Sequence, residues 1–314
     1  MLFVGIDLGG TSIKAGLVDE NGKILAKATC PTLVERGAEP VVNDMAKLSL
    51  EVIEKGGYTV DDVKAIGIGL PGIQDPRTGI VPFCTNLYWH EVPVIELMQK
   101  VIDKPIYIGN DATVAGLAES VAGVSAGIKH SVFLTLGTGV GGGIVHDGKV
   151  YSGVNGVGSE LGHMIAVIDG EECTCGNKGC WERYASATAL IRMGREAAKE
   201  DNASEIYKAV NGNLEDVTAK TVIDAAKNGD ETAKKVFDRY VYYLCAGLVS
   251  IINFIDPEVI VLGGGVSHAG TFLLDAVRAK LPSMVFYKTM PYARVELAVL
   301  GNDAGIIGAA MLGK

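Results

Sequence analysis

The chain repeats its own pattern, and that repeat leaves few folds open to it. Residues 2–29, LFVGIDLGGTSIKAGLVDENGKILAKAT, read as three strands bent at Gly9-Gly10 and at Asn21-Gly22. The arrangement returns from Ser131 in SVFLTLGTGVGGGIVHDGKVYSG, again with a glycine bend and then an Asp147-Gly148 turn. Two strand–helix units follow each meander. VKAIGIGLPG (63–72) is echoed by PEVIVLGGGV (257–266), and PIYIGNDATVAGLA (105–118) by VELAVLGNDAGIIGAA (295–310). Self-similarity of this order predicts a duplicated α/β fold, two domains with a cleft between the copies and the glycine turns of both copies facing it. At 314 residues the chain has material for two cores. The expected division is a small α/β domain of residues 1–110 plus 300–314 and a large one of 111–299.

Residues 152 to about 235 lie outside the repeat and form an insertion in the second copy. They hold Cys173, Cys175 and Cys180 within eight positions, and a strongly helical stretch, ERYASATALIRMGREAAKE. Crowding of this kind argues for a metal in a reducing compartment and against a disulfide framework, while Cys30, Cys84 and Cys245 read as core thiols. Other amphipathic helices are predicted over 41–55, 93–102, 219–228, 230–254 and 271–280, with Pro93 and Pro282 as start and stop signals. The 16-residue uncharged run between Arg239 and Asp256 is too short for a membrane span, which needs about 20 residues, and reads as a buried helix. Its apolar face suits either a core or a subunit interface.

Charge narrows the partners. With 28 Lys+Arg against 37 Asp+Glu the net charge is −9, which disfavours a nonspecific grip on nucleic acid or anionic lipid and points to a small molecule. The amino terminus carries no basic flank, and Asp7 interrupts its apolar stretch, so export is not expected and the cytoplasm is. The 41 glycines are nearly twice the ~22 that an average usage of roughly 7% would supply, and such residues serve turns and close backbone approach.

Two nucleotide motifs nearly match and fail on context. Gly137-Thr-Gly-Val-Gly-Gly142 fits GxGxxG, but a strand and hairpin turn follow it where a dinucleotide fingerprint needs a helix. Gly143 to Lys149 reads GxxxxGK, but Val150 stands where a P-loop requires Ser or Thr. Instead, Asp7-Leu-Gly-Gly-Thr11 and Leu136-Gly-Thr-Gly-Val-Gly141 are hairpin bends whose backbone N–H groups and Thr11 and Thr138 hydroxyls suit a polyphosphate. Asp7, at a strand end, suits a hydrated Mg²⁺ bridging the phosphates. The repeated Asn-Asp-Ala between a strand and a helix offers Asp111 and Asp303 as equivalent carboxylates, each also a natural helix cap.

The phosphate hairpins, a third glycine turn at Gly263-Gly264-Gly265 and the duplicated layout resemble the superfamily of sugar kinases, actin and heat-shock chaperone ATPases. Within it, Glu160-Leu-Gly-His163 followed by Cys173-Thr-Cys-Gly-Asn-Lys-Gly-Cys180-Trp-Glu182 closely resembles the ROK family (repressors, open reading frames, kinases). Ala185-Ser-Ala-Thr188 is similar to its bacterial glucokinases. The resemblance covers essentially the whole chain and implies a duplicated actin-like (ribonuclease H-like) ATPase fold. It implies an ATP-dependent hexokinase that makes glucose 6-phosphate, with other hexoses and N-acetylhexosamines (N-acetylmannosamine, N-acetylglucosamine, fructose, allose) as alternative substrates. A sugar-sensing repressor is the other class in the family, but repressors carry a helix-turn-helix ahead of the first strand, which here begins at Leu2.

The resemblance also assigns residues. Phosphoryl transfer needs a carboxylate to accept the alcohol proton, and the family pattern chooses Asp111 as that base, taking the proton of the sugar's 6-hydroxyl, and leaves Asp303 as a helix cap. Gly72, Asn86, Asn110, Asp111, Glu160, His163 and Glu182 are expected to bind the sugar, although Tyr88 departs from the glycine often found beside the sugar-binding Asn. Asp7, Gly9, Gly10, Thr11, Lys14, Gly137, Thr138, Gly139 and Gly263–Gly265 are expected on ATP and Mg²⁺. His163, Cys173, Cys175 and Cys180 form a closed, tetrahedral, structural Zn²⁺ set, with the second ring nitrogen of His163 left for a sugar hydroxyl. A homo-oligomer, dimer or tetramer, is expected, and sugar binding is expected to close the domains before transfer.

Overall fold

The computed structural model describes residues 1–314. The chain opens with strands β1 (Leu2–Leu8), β2 (Ser12–Asp19) and β3 (Ile24–Pro31), then helix α1 (Ala38–Lys55) and strand β4 (Val63–Leu70). Next come β5 (Ile73–Asp75), β6 (Ile80–Cys84), β7 (Trp89–Pro93), α2 (Val94–Gln99), β8 (Ile106–Asn110) and α3 (Asp111–Ala122). The second copy begins with β9 (Ser131–Leu136), β10 (Val140–His146) and β11 (Lys149–Tyr151). Helices α4 (Glu182–Ala185), α5 (Ala187–Glu200), α6 (Glu205–Ala209), α7 (Ala219–Lys227) and α8 (Glu231–Ile255) follow. The chain ends with β12 (Val259–Gly263), α9 (Thr271–Lys280), β13 (Arg294–Leu297) and α10 (Ala304–Met311).

The two large sheets have the same construction. One runs β3-β2-β1-β4-β8 and the other β11-β10-β9-β12-β13, an antiparallel meander extended by two further strands in each. In the first, β1 pairs antiparallel with β2 and parallel with β4, which pairs parallel with β8. In the second, β12 and β13 are parallel. A small third sheet, β5-β6-β7, was not foreseen from the sequence: its strands are three to five residues long and two of them contain proline.

Met1–Phe133, Gly143–Ser159 and Val299–Lys314 form one compact unit, and Leu134–Gly142 with Glu160–Ala298 form a second. This division differs from a boundary at 110/111, because α3 stays in the first unit. The reason is close packing on α10: a Cβ on Gly308 would fall 1.6 Å from the Val114 carbonyl oxygen, so the two helices approach to backbone contact. In β1, Val4, Ile6 and Leu8 face one core with Val41, Met45 and Val52 of α1, while Phe3 faces the other with Leu117, Ile306 and Ile307. That period-two alternation leaves the first sheet covered on both faces.

In the second unit α8 is the central post. Asp230 accepts the Ala233 N–H at 2.7 Å and caps its start, and Phe237, Tyr240, Leu244, Leu248 and Ile251 bury one face. Trp181 lies flat on α8 at Gly247, where a Cβ would come within 1.9 Å of the indole, and its Nε1–H donates to the Tyr243 carbonyl at 2.7 Å. Fully buried, an indole of about 200 Å² contributes about 5 kcal/mol of hydrophobic stabilisation. This anchors the cysteine segment to the helix. The predicted single helix from Glu182 onward is broken at Ser186, whose extended backbone separates α4 from α5 and whose hydroxyl accepts the Ala189 N–H at 3.1 Å. No helix is long and apolar enough to cross a membrane.

Candidate active site

In the first unit the carboxyl ends of β1, β4 and β8 lie side by side, the edge at which open α/β sheets present their ligand-binding groups. The β1–β2 register sets Asp7 opposite Lys14, and Lys14 Nζ sits 3.3 Å from Asp7 Oδ2. Gly305 makes room for that carboxylate, since a Cβ there would lie 2.6 Å from Asp7 Cγ. In the bend itself the Gly9 N–H closes onto the Ser12 carbonyl at 3.0 Å. Thr32, fully buried, donates its hydroxyl to the Gly9 carbonyl at 2.6 Å and its N–H to the Thr11 carbonyl at 3.1 Å.

Beyond β4, Gly72 adopts φ +90°, and a Cβ there would strike the Phe83 carbonyl oxygen at 2.5 Å. No other residue fits that turn without strain. Asn86 lies in the 3-10 turn Thr85–Leu87 that follows β6, and Gly10 approaches it so closely that an added Cβ would be 3.5 Å from the Asn86 carbonyl oxygen. The first phosphate-type bend and the expected sugar-binding Asn are therefore neighbours. Tyr88 ends that turn at φ 56°, ψ 34°, left-handed and 78% exposed, a backbone conformation that favours glycine. Burial pushes the Cys84 thiol below this turn up from its ordinary range.

The Asn-Asp-Ala at the end of β8 divides its tasks. Asn110 Oδ1 accepts the Ala112 N–H at 2.9 Å and the Thr113 N–H at 3.3 Å, so Asn110 is the cap of α3. Asp111 sits exposed in the first turn, its Oδ1 taking the Ala112 N–H at 2.7 Å. Asp303 departs from expectation. It makes no cap bond to α10; its carboxylate instead receives Lys27 Nζ at 2.8 and 2.9 Å.

In the second unit Gly137, Thr138 and Gly139 form the bend between β9 and β10, closed by the Gly137 N–H on the Gly139 carbonyl at 3.0 Å. The break at Ser186 brings the start of α5 onto this bend. The Ala187 N–H donates to the Gly137 carbonyl at 2.8 Å, and the Thr188 hydroxyl to the Thr138 carbonyl at 2.8 Å. Gly263 ends β12, and Gly264, at φ +82°, lies against the Leu136 backbone with a would-be Cβ 2.6 Å from its nitrogen. The second and third glycine turns are thus adjacent.

His163, Cys173, Cys175 and Cys180 converge, with one ligand atom from each all within 4.8 Å of one another. Cys173 Sγ is 3.8 Å from His163 Nδ1 and Cys175 Sγ is 3.6 Å from Cys180 Sγ. Thiolates about 2.3 Å from a tetrahedral Zn²⁺ stand about 3.8 Å apart, close to the 3.6 Å of the Cys175–Cys180 pair, so the donor set fits that ion in type and number. Burial pushes the Cys173 thiol up and, with the neighbouring thiols, pushes Cys180 up to about 12, whereas the Asn177 N–H holds Cys175 down. Glu182 Oε1 lies 3.1 Å from Cys173 Sγ, and its Oε2 is 2.3 Å from where a Cβ on Gly139 would be. That carboxylate joins the thiol cluster to the glycine bend. Glu160 is exposed at the start of the 3-10 turn Leu161–His163, its carbonyl accepting the His163 N–H at 3.1 Å.

Sequence reasoning missed Thr32, Gly162 and Gly305. Gly162, within Glu160-Leu-Gly-His163, packs so flush on β10 that a Cβ would fall 2.1 Å from the Val140 carbonyl oxygen. Its place inside the motif was the available signal. Thr32 and Gly305 carry no local signal, because their partners are distant in sequence.

The sequence pattern of the ROK family matches residues 3–314. Glucokinase of Thermotoga maritima is 40% identical over 312 residues, 99% of this chain and 96% of that protein. A ROK family glucokinase from Streptomyces griseus, solved in complex with glucose and AMPPNP, aligns with a TM-score of 0.81 at 35% identity over 99% of both chains. The ROK hexokinase from Thermus thermophilus aligns at 0.85 and 32% identity, over 99% of this chain and 97% of that one. The fold is accordingly the duplicated actin-like ATPase fold of the sugar kinases. With its duplicated sheets, its glycine bends and its thiol cluster matched along the whole length, the chain belongs to the ROK family.

Proposed function

We propose that the protein is an ATP-dependent hexokinase that moves the γ-phosphoryl group of ATP to the 6-hydroxyl of glucose, yielding glucose 6-phosphate and ADP. The observation that carries this reading is its likeness to glucokinases along essentially the whole chain. The oxygen–phosphorus bond to the sugar forms as the bond from the γ-phosphorus to the ADP oxygen breaks, and the hydroxyl proton passes to the Asp111 carboxylate. A loose transition state asks little of base strength, so placement in the first turn of α3 matters more than a shifted pKa. Backbone N–H groups of the Gly9–Thr11, Gly137–Gly139 and Gly263–Gly265 turns take the phosphate oxygens, with Lys14 as an additional cation. Mg²⁺, when bound, neutralises charge on the transferred phosphates, and Asp7 would hold it through water.

Asn86, Asn110, Glu160, His163 and Glu182 would give the sugar hydroxyls directional partners, with the Gly72 backbone as a further one. A sugar lacking or inverting a hydroxyl leaves one of them unpaired, which discriminates strongly. His163, Cys173, Cys175 and Cys180 would hold Zn²⁺, and with one imidazole nitrogen so occupied the other would be left for a hydroxyl. The test is a panel of glucose, fructose, allose, N-acetylglucosamine and N-acetylmannosamine with MgATP, following ADP release and locating the phosphate by NMR. Glucose should react fastest and carry the phosphate at carbon 6. Absence of sugar-dependent ADP release across the panel would overturn the reading.

A further inference from the structure

The two glycine bends share a device that has no counterpart in their sequences. In each, consecutive or near-consecutive carbonyls are held from behind by a threonine hydroxyl and a backbone N–H of a later element. Thr32 holds Gly9 and Thr11. Thr188 and the Ala187 N–H hold Thr138 and Gly137. A trans peptide is planar, so its C=O and the next residue's N–H point in opposite directions. Fixing the Gly9 carbonyl therefore fixes the Gly10 N–H on the other side of the bend. By the same geometry, the bonds from Ala187 and Thr188 aim the N–H groups of Thr138 and Gly139 away from α5.

We propose that Thr32 and Thr188 are positioning residues for phosphate binding, each locking a peptide plane so that the bend presents an N–H and not a carbonyl oxygen. Glycine makes such a lock necessary. Gly9 and Gly10 in one bend, and Gly137 and Gly139 on either side of Thr138 in the other, have little steric preference of their own, and a peptide flip in either bend would turn a carbonyl lone pair toward the phosphate oxygens. The proposal rests on the kinase reading for the identity of the anion, but the lock itself is a property of each bend. It also gives a reason for the interruption at Ser186, since an unbroken helix would carry Ala187 and Thr188 away from the bend.

Thr188→Val and Thr32→Val keep the β-branched shape and remove the hydroxyl, while Thr188→Ser and Thr32→Ser restore it. Binding of MgATP and of adenosine, which has the base and ribose but no phosphate, is measured by calorimetry for each protein, alongside KM for ATP and for glucose. Each Val variant should bind MgATP on the order of tenfold more weakly, with KM for ATP raised in step and adenosine affinity and KM for glucose unchanged. The Ser variants should recover most of the loss. Thr188 is only half-buried, so its variant tests the idea even if Thr32→Val folds poorly. Val variants that bind MgATP as tightly as the parent, or that lose adenosine and MgATP affinity equally, would overturn the proposal. A parent protein that binds neither nucleotide would instead overturn the kinase reading.

Discussion

Asn110-Asp111-Ala112 and Asn302-Asp303-Ala304 are the same three residues at matching places in the repeat, and they fold differently. In the first copy β8 runs straight into α3, Asn110 takes an extended backbone, and its side chain caps the helix. In the second, three residues separate β13 from the turn, and the N–H groups of Val299 and Leu300 both donate to Glu119 Oε1 at 3.0 Å. Glu119 is fully buried, so that carboxylate holds the segment firmly. Leu300 and Asp303 are already helical in φ and ψ, and no side chain caps α10. Capping needs an extended residue at the helix entrance, and the second copy has none there. Identical local chemistry thus yields a carboxylate set in the first turn of a helix in one place and a Lys27 ion pair in the other.

Substitution separates the two most sharply. Asp111→Asn should lower kcat for glucose phosphorylation by about a thousandfold with little change in sugar affinity, as expected when a proton acceptor is removed. Asp303→Asn should leave turnover within about twofold and cost at most about 0.5 kcal/mol of stability, the worth of an exposed ion pair. Steady-state kinetics with MgATP and glucose decide the matter. If Asp303→Asn proved the more damaging change, the assignment of the base to the first copy would be wrong.

The copies also differ in that only the second carries the thiol cluster, and pH reports on it. In chelated protein burial holds the Cys173 and Cys180 thiols above the ordinary value of 9.0, so they leave stability unchanged below that value and lower it as pH rises from there, for Cys180 up to about 12. Zinc reverses the direction, because it binds thiolates. At neutral pH the Cys173 and Cys180 thiols must release protons on binding, and Cys175 adds to them wherever it is still protonated, so affinity should climb by at least about 100-fold per pH unit between roughly pH 7 and 8. Competition with a chromogenic chelator at several pH values measures that slope. A slope below tenfold per unit would mean that fewer than one of these protons is displaced and that the cluster is not the ligand set.

The repeat was legible because turn chemistry is local: Gly-Gly, Asn-Gly and Asp-Gly bends between β-branched runs specify hairpins wherever they occur. The thiol–imidazole cluster was legible for the same reason, three of its four members lying within eight positions. The fate of Asp303 was not, since Lys27 is 276 residues away in sequence. Nor was the break at Ser186, where good helix formers on both sides mask a serine that serves as a cap. The strands of the small sheet were too short to show alternation, so the surroundings of Asn86 had to come from the structure. In each of these cases tertiary contacts overrode a local preference.

A smaller effect tests the caps directly. Asn110→Ala should cost about 1 kcal/mol, because the N–H groups of Ala112 and Thr113 lose their shared acceptor, whereas Asn302→Ala should cost close to nothing. Thermal melts of the two variants compare the copies without reference to activity. Asn110 is also proposed to bind the sugar, and Asn110→Asp separates that task from capping. Aspartate caps as well as asparagine does, so the melt should match the parent, while loss of the amide N–H donors should raise KM for glucose. A normal melt with a normal KM would confine Asn110 to the helix entrance and leave Asp111 in place without it.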